Sequence, residues 1–414
     1  MHTRLTSSFV VLIISCLSQF LQAQNSWSSI ASFAGGERER AVSFVIGSRA
    51  YVGTGLDTAN ACKKDFWEYD PGTNIWMQKA DLPGSQRRDA IAFAIGNRGY
   101  VGTGLNGFLA WTGSKKKDFY EYNPITNTWT AKDDFEGNSG YGVYYASAFA
   151  TATKGYVVCG KFGSSWYSNE LWEFDPVAND WIARANFPGG VRYGVTAFSC
   201  NGKGYVGCGA DENYFRNDFW EYDPQTNAWT EKAPFPGSPR FNAAGFSIGG
   251  RGYIGMGTDG GYQKDLYEYN PLTNNWMQKA NLPGSERRSC VAFAIGDYGY
   301  LGTGKGPDGV KRNFFRYKPF FLFENEMEER ISALVACNGS ANPVLSVSGL
   351  QTGEVAQVQI FSAAGHLVAQ LDIRDGDQIA MQNQTLSAGL YVYEVIASTD
   401  PENISYTAGK IYIQ

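Results

Sequence analysis

Five arginines stand six residues ahead of a phenylalanine: Arg38, Arg87, Arg192, Arg240 and Arg287, with Val143 at a sixth equivalent position. At similar spacing after the first five of these six positions in chain order stands an acid, Asp65, Asp118, Glu170, Asp218 and Asp265, and after the last Asn313. Guanidinium forks suit carboxylates and other anions, so a ring of them could select an anionic ligand. The same residues could instead satisfy each other or nearby loop backbone. Between arginine and acid lie aromatic side chains: Phe108, Trp111, Phe162, Trp166, Tyr167, Tyr214, Phe215 and Tyr262. Exposed aromatics of this kind stack on sugars or anchor peptides. The six segments 56–64, 105–117, 161–169, 210–217, 258–264 and 305–312 together hold eleven Lys or Arg against five Asp or Glu, in a chain of net charge −5. A locally basic, aromatic surface on an acidic protein is the expected binding face, with Arg38, Arg87, Arg192, Arg240, Arg287, Trp111, Trp166, Tyr167, Tyr214 and Tyr262 as ligand contacts.

Catalytic constellations are scarce. The two histidines, His2 and His366, lie near the ends of the chain. That leaves the middle without a Ser-His-Asp triad or a histidine-ligated metal, and neither a metal nor a cofactor is expected. Cys62, Cys159, Cys200, Cys208, Cys290 and Cys337 show no zinc spacing, and their pairing cannot be deduced. Gly102–Gly107 spells G-x-G-x-x-G but ends a strand and opens no helix, which removes the dinucleotide reading. Asp375-Gly376-Asp377 reads as a surface turn. The acidic balance, with a pI near 5.3, argues against a general nucleic-acid or membrane-surface binder.

The elements that must position these residues form an internal repeat. Tryptophan recurs at Trp27, Trp76, Trp129, Trp181, Trp229 and Trp276, and tyrosine at Tyr51, Tyr100, Tyr156, Tyr205, Tyr253 and Tyr300. Between them runs a third marker, W/Y-E-Y/F-D/N-P, from Trp67 to Pro71 in the first unit and weakening to Phe315–Pro319 in the last. Each unit holds four strand-like pieces joined by Gly, Asn and Pro turns; the second predicts strands at 89–95, 99–104, 118–122 and 128–132. One such unit cannot bury both its faces, so the units must stack. In this meander the d–a and b–c connections share one face, and the variable b–c loops are where binding is expected.

From about Asn25 to Phe320 the pattern resembles kelch repeats, although the usual Gly-Gly after strand b is here Gly53-Thr54-Gly55 and its equivalents. The resemblance implies an all-β, six-bladed propeller over residues 24–320. Asn25–Ala34 is expected to supply the fourth strand of blade six and remove the open edge. It also implies that strand a begins near the mouth of a central channel, where the arginines would form their ring. A galactose-oxidase-like copper site on this propeller would need histidines that residues 24–320 lack.

Residues 1–23 read as an export signal, Arg4 followed by an apolar run and Leu21-Gln22-Ala23, too short for a permanent anchor. Lipid attachment at Cys16 is the alternative. After a charged linker, 321–341, residues 342–414 read as a small β-sandwich. That segment resembles the type A C-terminal sorting domain of the type IX secretion system, through Asn342-Pro343, Val358–Phe361 with Gly365–Val368, Ala388–Tyr391 and Gly409–Ile413. This implies the secretion machinery as a partner and export to the surface or medium of a Gram-negative bacterium. Two functions follow for the propeller. One is a non-catalytic module binding a glycan or protein. The other is a sugar isomerase or epimerase of the kelch-fold sialic-acid epimerase kind, which would need a free carboxylate at the channel mouth.

Overall fold

The computed structural model describes residues 26–108 and 113–319, together with backbone strands between 332 and 413. By contact the chain divides into two compact units, Met1–Pro319 and Phe320–Gln414. The first is built of six four-stranded antiparallel sheets. Their blades span residues 42–79, 91–132, 147–184, 196–232, 244–279 and 291–318. Blade 2 shows the plan, with strand a Ile91–Ile95, b Arg98–Gly102, c Phe119–Asn123 and d Thr128–Lys132. The sixth blade holds only three strands of its own, ending with c at Phe314–Lys318. Ser26–Ile30 pairs antiparallel to that strand as d, with Trp27 opposite Tyr317. The two ends of the repeat thus close the ring.

The repeat markers hold the blades together. Each strand-d indole donates to a backbone carbonyl in the next layer: Trp129 to Ala80 at 2.9 Å, Trp276 to Ala233 at 2.9 Å, and Trp27 to Ala280 at 2.9 Å across the closure. The turn asparagines Asn74, Asn127, Asn179, Asn227 and Asn274, two residues before the strand-d tryptophans of blades 1 to 5, have φ near +55°, which Asn tolerates better than most residues. Asn127 Oδ1 accepts from both the Tyr122 hydroxyl and the Ala80 amide, tying turn, strand and neighbour at one atom. Within a blade, the strand-b tyrosine donates to the strand-c glutamate, as Tyr205 does to Glu221 at 2.6 Å. Strand a of one blade drives its phenylalanine against strand b of the next. A side chain on Gly99 would put Cβ 2.2 Å from Phe44, so only glycine fits there.

Cys62, Cys159, Cys200, Cys208 and Cys290 are free thiols. Most sit in the blade cores as small apolar groups. Among the described residues no helix is long and apolar enough to cross a membrane. In the second unit, Leu367–Ile373, Val355–Ser362, Gly389–Asp400 and Asn403–Ile413 form one antiparallel sheet in that order, and Ser332–Ala336, Val344–Ser348 and Gln378–Ala380 another. The export signal, Cys16 and Asp375-Gly376-Asp377 lie outside the described residues, as does the expected linker apart from its strand Ser332–Ala336.

Candidate functional site

The five repeated arginines do not line the channel. Each guanidinium is 2% exposed or less and is enclosed in its own blade. Arg87 shows why. Its Nη1 donates to the Thr103 carbonyl at 3.0 Å and to Asp118 Oδ1 at 2.7 Å, and its Nη2 to Asp118 Oδ2 at 2.6 Å. Arg38 repeats this with Thr54 and Asp65, Arg192 with Cys208 and Asp218, and Arg240 with Met256 and Asp265. Those accepting carbonyls belong to the residue just after strand b, whose φ lies near +58° in all four blades. The arginine satisfies a strained buried turn and fastens it to the start of strand c. Blade 3 has Val143 in place of the arginine. There Glu170 accepts instead from the Asn138 amide and the Trp172 indole. Burial and pairing therefore overturn the expected arginine ring: these forks are spent on the fold.

The residues that do ring the channel stand two places further along. Arg40, Asp89, Tyr145, Gly194, Asn242 and Ser289 occupy one equivalent position in the six blades, and the five non-glycines have φ between 52° and 58°. Each amide donates to the carbonyl of its predecessor around the circle. Asp89 donates to Arg40, Tyr145 to Asp89, Gly194 to Tyr145, Asn242 to Gly194, Ser289 to Asn242, and Arg40 to Ser289, at 2.9–3.3 Å. This closed belt fixes six side chains at the mouth of a cavity of about 170 Å³ lined by all six residues. Further along strand a the channel continues as a cavity of about 160 Å³ lined by small side chains, among them Ala92, Ala148, Ala197 and Ala292.

Around the belt the mouth is asymmetric. Arg88 donates to Asp89 in a very short contact, and Arg40 Nη1 lies 3.5 Å from the same carboxylate. Burial pushes the Asp89 carboxyl above the ordinary carboxylate range, against the pull of Arg40 and Arg88. Glu39 lies 3.5 Å from Arg40 and 3.9 Å from Lys305. Both mouth carboxylates are thus engaged by cations, and neither is the free base an epimerase would need. Arg288 and Lys161 have no carboxylate partner among the described residues. Lys161 is pushed below its ordinary value by burial. It sits 4.9 Å over the Tyr167 ring and 4.6 Å over Tyr193. Tyr167 and Tyr193 stack at 5.4 Å, Tyr145 meets Tyr193 edge-on at 5.7 Å, and Phe241 continues the wall at 5.6 Å. Arg288 lies 5.5 Å over Tyr262.

Of the expected aromatic contacts, Tyr167 and Tyr262 belong to this cup. Trp166, 59% exposed, folds against Phe162, and Tyr214, 66% exposed, lies under Arg216 at 5.4 Å. These two stand on the b–c loop face. Trp111 lies outside the described residues. Sequence reasoning missed Arg40, Asp89, Tyr145, Tyr193, Asn242, Arg288 and Ser289 because it looked for what recurs. For Arg40, Asp89, Tyr145, Asn242 and Ser289 the signal was a position four residues before the strand-a phenylalanine at which every blade differs; Tyr193 and Arg288 stand one residue earlier.

A family model described as the KLHDC2/KLHL20/DRC7 Kelch-repeats domain matches residues 112–304. The first unit is a kelch propeller. A solved structure titled "Structure of YjhT" superposes on it with a TM-score of 0.60 at 16% identity, covering 69% of this chain and 95% of that one. At that identity the likeness speaks for the fold alone. No curated protein matches the chain. Among the described residues the kelch propeller has no cluster of His, Cys, Asp or Glu able to hold a metal ion. Blade 3, where the arginine is replaced and the b–c hairpin runs on through Lys161 and Tyr167, is where the propeller departs most from its own repeat. That blade also supplies much of the aromatic cup.

Proposed function

We propose that the kelch propeller is a non-catalytic binding module that grips an anionic group of a glycan or protein at the channel mouth, using the d–a and b–c loop face. The observation that carries this reading is two cations without carboxylate partners set on tyrosines, Lys161 over Tyr167 and Tyr193, which Tyr145 meets, and Arg288 over Tyr262. Cations satisfied only by aromatic faces keep donors available for an incoming anion, and the tyrosines offer flat area and hydroxyls to the body that carries it. Trp166 and Tyr214 extend the contact outward. The repeated arginines act indirectly, by holding the turns from which the cup is built. The engagement of Asp89 and Glu39 disfavours the epimerase alternative, since a general base must be free to take a proton. The reading includes export by the N-terminal signal and delivery to the cell surface or medium by the C-terminal sorting domain.

The test is a glycan and peptide array probed with the full chain, repeated with Tyr193→Ala, Arg288→Met and Trp166→Ala. Losing a central anchor weakens binding by about tenfold or more, and a rim residue costs less. Full binding by all three variants would remove this face from consideration. Turnover of a sugar epimer by the wild type would restore the enzyme reading.

A further inference from the structure

The sixth blade breaks the arginine–carboxylate rule in a way that points to a ligand. Arg287 is fully buried, yet Asn313 stands where the other arginine-bearing blades have aspartate. Its Nη1 donates to the Thr303 carbonyl at 3.1 Å and to Asn313 Oδ1 at 2.9 Å, as in the other blades. Its Nη2 has no hydrogen-bond partner among the described residues. In blades 1, 2, 4 and 5 the equivalent nitrogen meets the second aspartate oxygen, at 2.6–3.2 Å. With Asn313 Oδ1 engaged by Nη1, its amide nitrogen takes that second place, a donor set against a donor. Rotating the amide moves the conflict to Nη1 without removing it.

Two neighbours have changed along with the aspartate. Where Trp67, Trp220 and Tyr120 donate to the carboxylate of their blades, blade 6 has Phe315, whose ring lies 5.7 Å from the guanidinium. A Cβ on Gly84 would sit 2.4 Å from Arg87 Nη2 and 2.5 Å from Asp118, whereas one on Gly284 would meet only Phe315, at 3.8 Å. The loop that presses on the ion pair elsewhere stands away from Arg287. Asp308, the carboxylate whose charge acts on Arg287, is paired with Lys311. A buried guanidinium stays charged and is costly without a counter-ion.

We propose that blade 6 holds a small monovalent anion, of chloride or formate size, between Arg287 Nη2 and the Asn313 amide. The anion supplies the charge that aspartate carries in blades 1, 2, 4 and 5, at the blade where the ring closes on Ser26–Ile30. This site is distinct from the channel mouth and does not depend on the function proposed for it.

The experiment compares wild type with Asn313→Asp, as full chains, by thermal unfolding in sodium chloride and in sodium gluconate at equal ionic strength. The wild-type midpoint should be several degrees higher in chloride. Asn313→Asp, which builds in its own carboxylate, should be at least as stable in gluconate as wild type in chloride, and should lose the chloride response. Bromide-soaked wild-type crystals should show an anomalous peak within hydrogen-bonding distance of Arg287 Nη2, absent in Asn313→Asp. An equal chloride response in both proteins overturns the site. So does a wild-type crystal with no bromide peak there, or one with the Asp308 carboxylate turned onto Arg287 instead.

Discussion

Asp118→Asn converts blade 2 into the arrangement of blade 6 and decides what the repeated arginines are for. The substitution keeps one acceptor for Arg87 Nη1 and removes the bond from Nη2 at 2.6 Å. It also takes the acceptor from the Tyr120 hydroxyl, 3.2 Å away. Removing one partner of a buried pair costs about 3–5 kcal/mol, because the other charge is left in a low-dielectric site. Arg87 is 0% exposed but Asp118 is 28% exposed, and asparagine retains one hydrogen bond, so the loss should fall to roughly 2–3 kcal/mol. A propeller of about 300 residues shifts by roughly 1.5–2 °C per kcal/mol, which gives a midpoint lower by roughly 3–6 °C. The assay is scanning calorimetry of the full chain in gluconate buffer, paired with ligand binding well below the transition. Stability should fall and affinity should not. An unchanged midpoint with binding lost would return the arginines to the ligand and refute the structural assignment.

Other consequences follow from the same contacts. Burial pushes the Asp118 carboxyl up, but its bonds to Arg87 outweigh this and leave it below the ordinary range; Glu221 is lowered in the same way, with Lys203 and Tyr205 as its partners. Their contribution is complete above the unfolded values of about 4 and is lost as pH falls through the lower folded values; acid titration of stability should show this, less steeply in Asp118→Asn. Burial raises Tyr69, Tyr122 and Tyr222 to about 12, so stability should hold below about pH 10 and decline toward pH 12, tracked by tyrosinate absorbance. The thiols of Cys159 and Cys208, raised to about 12 by burial, should react with a thiol reagent only after denaturant is added. Trp27→Ala removes the indole bond to Ala280 and the ring contact with Tyr317 at 4.9 Å, and should cost about 3 kcal/mol in urea unfolding.

The fold was legible because a propeller repeats its physics. Tryptophan, tyrosine and the strand-c motif recur since each blade must solve the same packing problem, and Asn25–Ala34 could be placed because one blade was a strand short. Strand limits slipped by a residue or two; blade 2 strand b runs Arg98–Gly102, and the following Thr103-Gly104 belongs to the tight turn that Arg87 holds. The aromatic loops were also legible, and Tyr167 and Tyr262 stand in the cup. The arginines were placed in the right loop and given the wrong task. Nothing in Arg87 alone says whether its fork turns toward the channel or toward Asp118.

The distinction was nevertheless present in the repeat. A residue kept in blade after blade answers a need common to every blade, and that need is structural: a buried turn to hold, a wedge to fill. A ligand bound on the axis of such a ring would touch each blade once, without sharing the ring's six-fold order unless it were itself symmetric. The six axial positions accordingly keep one backbone conformation, near +55°, while their side chains differ throughout: Arg40, Asp89, Tyr145, Gly194, Asn242 and Ser289. Constancy of backbone with diversity of side chain is the mark of a site built on a repeat. Gly194→Val tests the two halves of that statement separately. Valine is strained at a φ of 61°, and its Cβ would lie 2.6 Å from the Asn242 side chain, so the belt should weaken by about 2 kcal/mol or more. Gly194→Asn sets the same Cβ against Asn242, whose side chain must shift, but asparagine tolerates the backbone, so it should cost less than valine while adding bulk at the mouth. Loss of binding in Gly194→Asn at near-native stability would place the ligand on the axis. Full binding by a folded Gly194→Asn protein would move it outward to Trp166 and Tyr214.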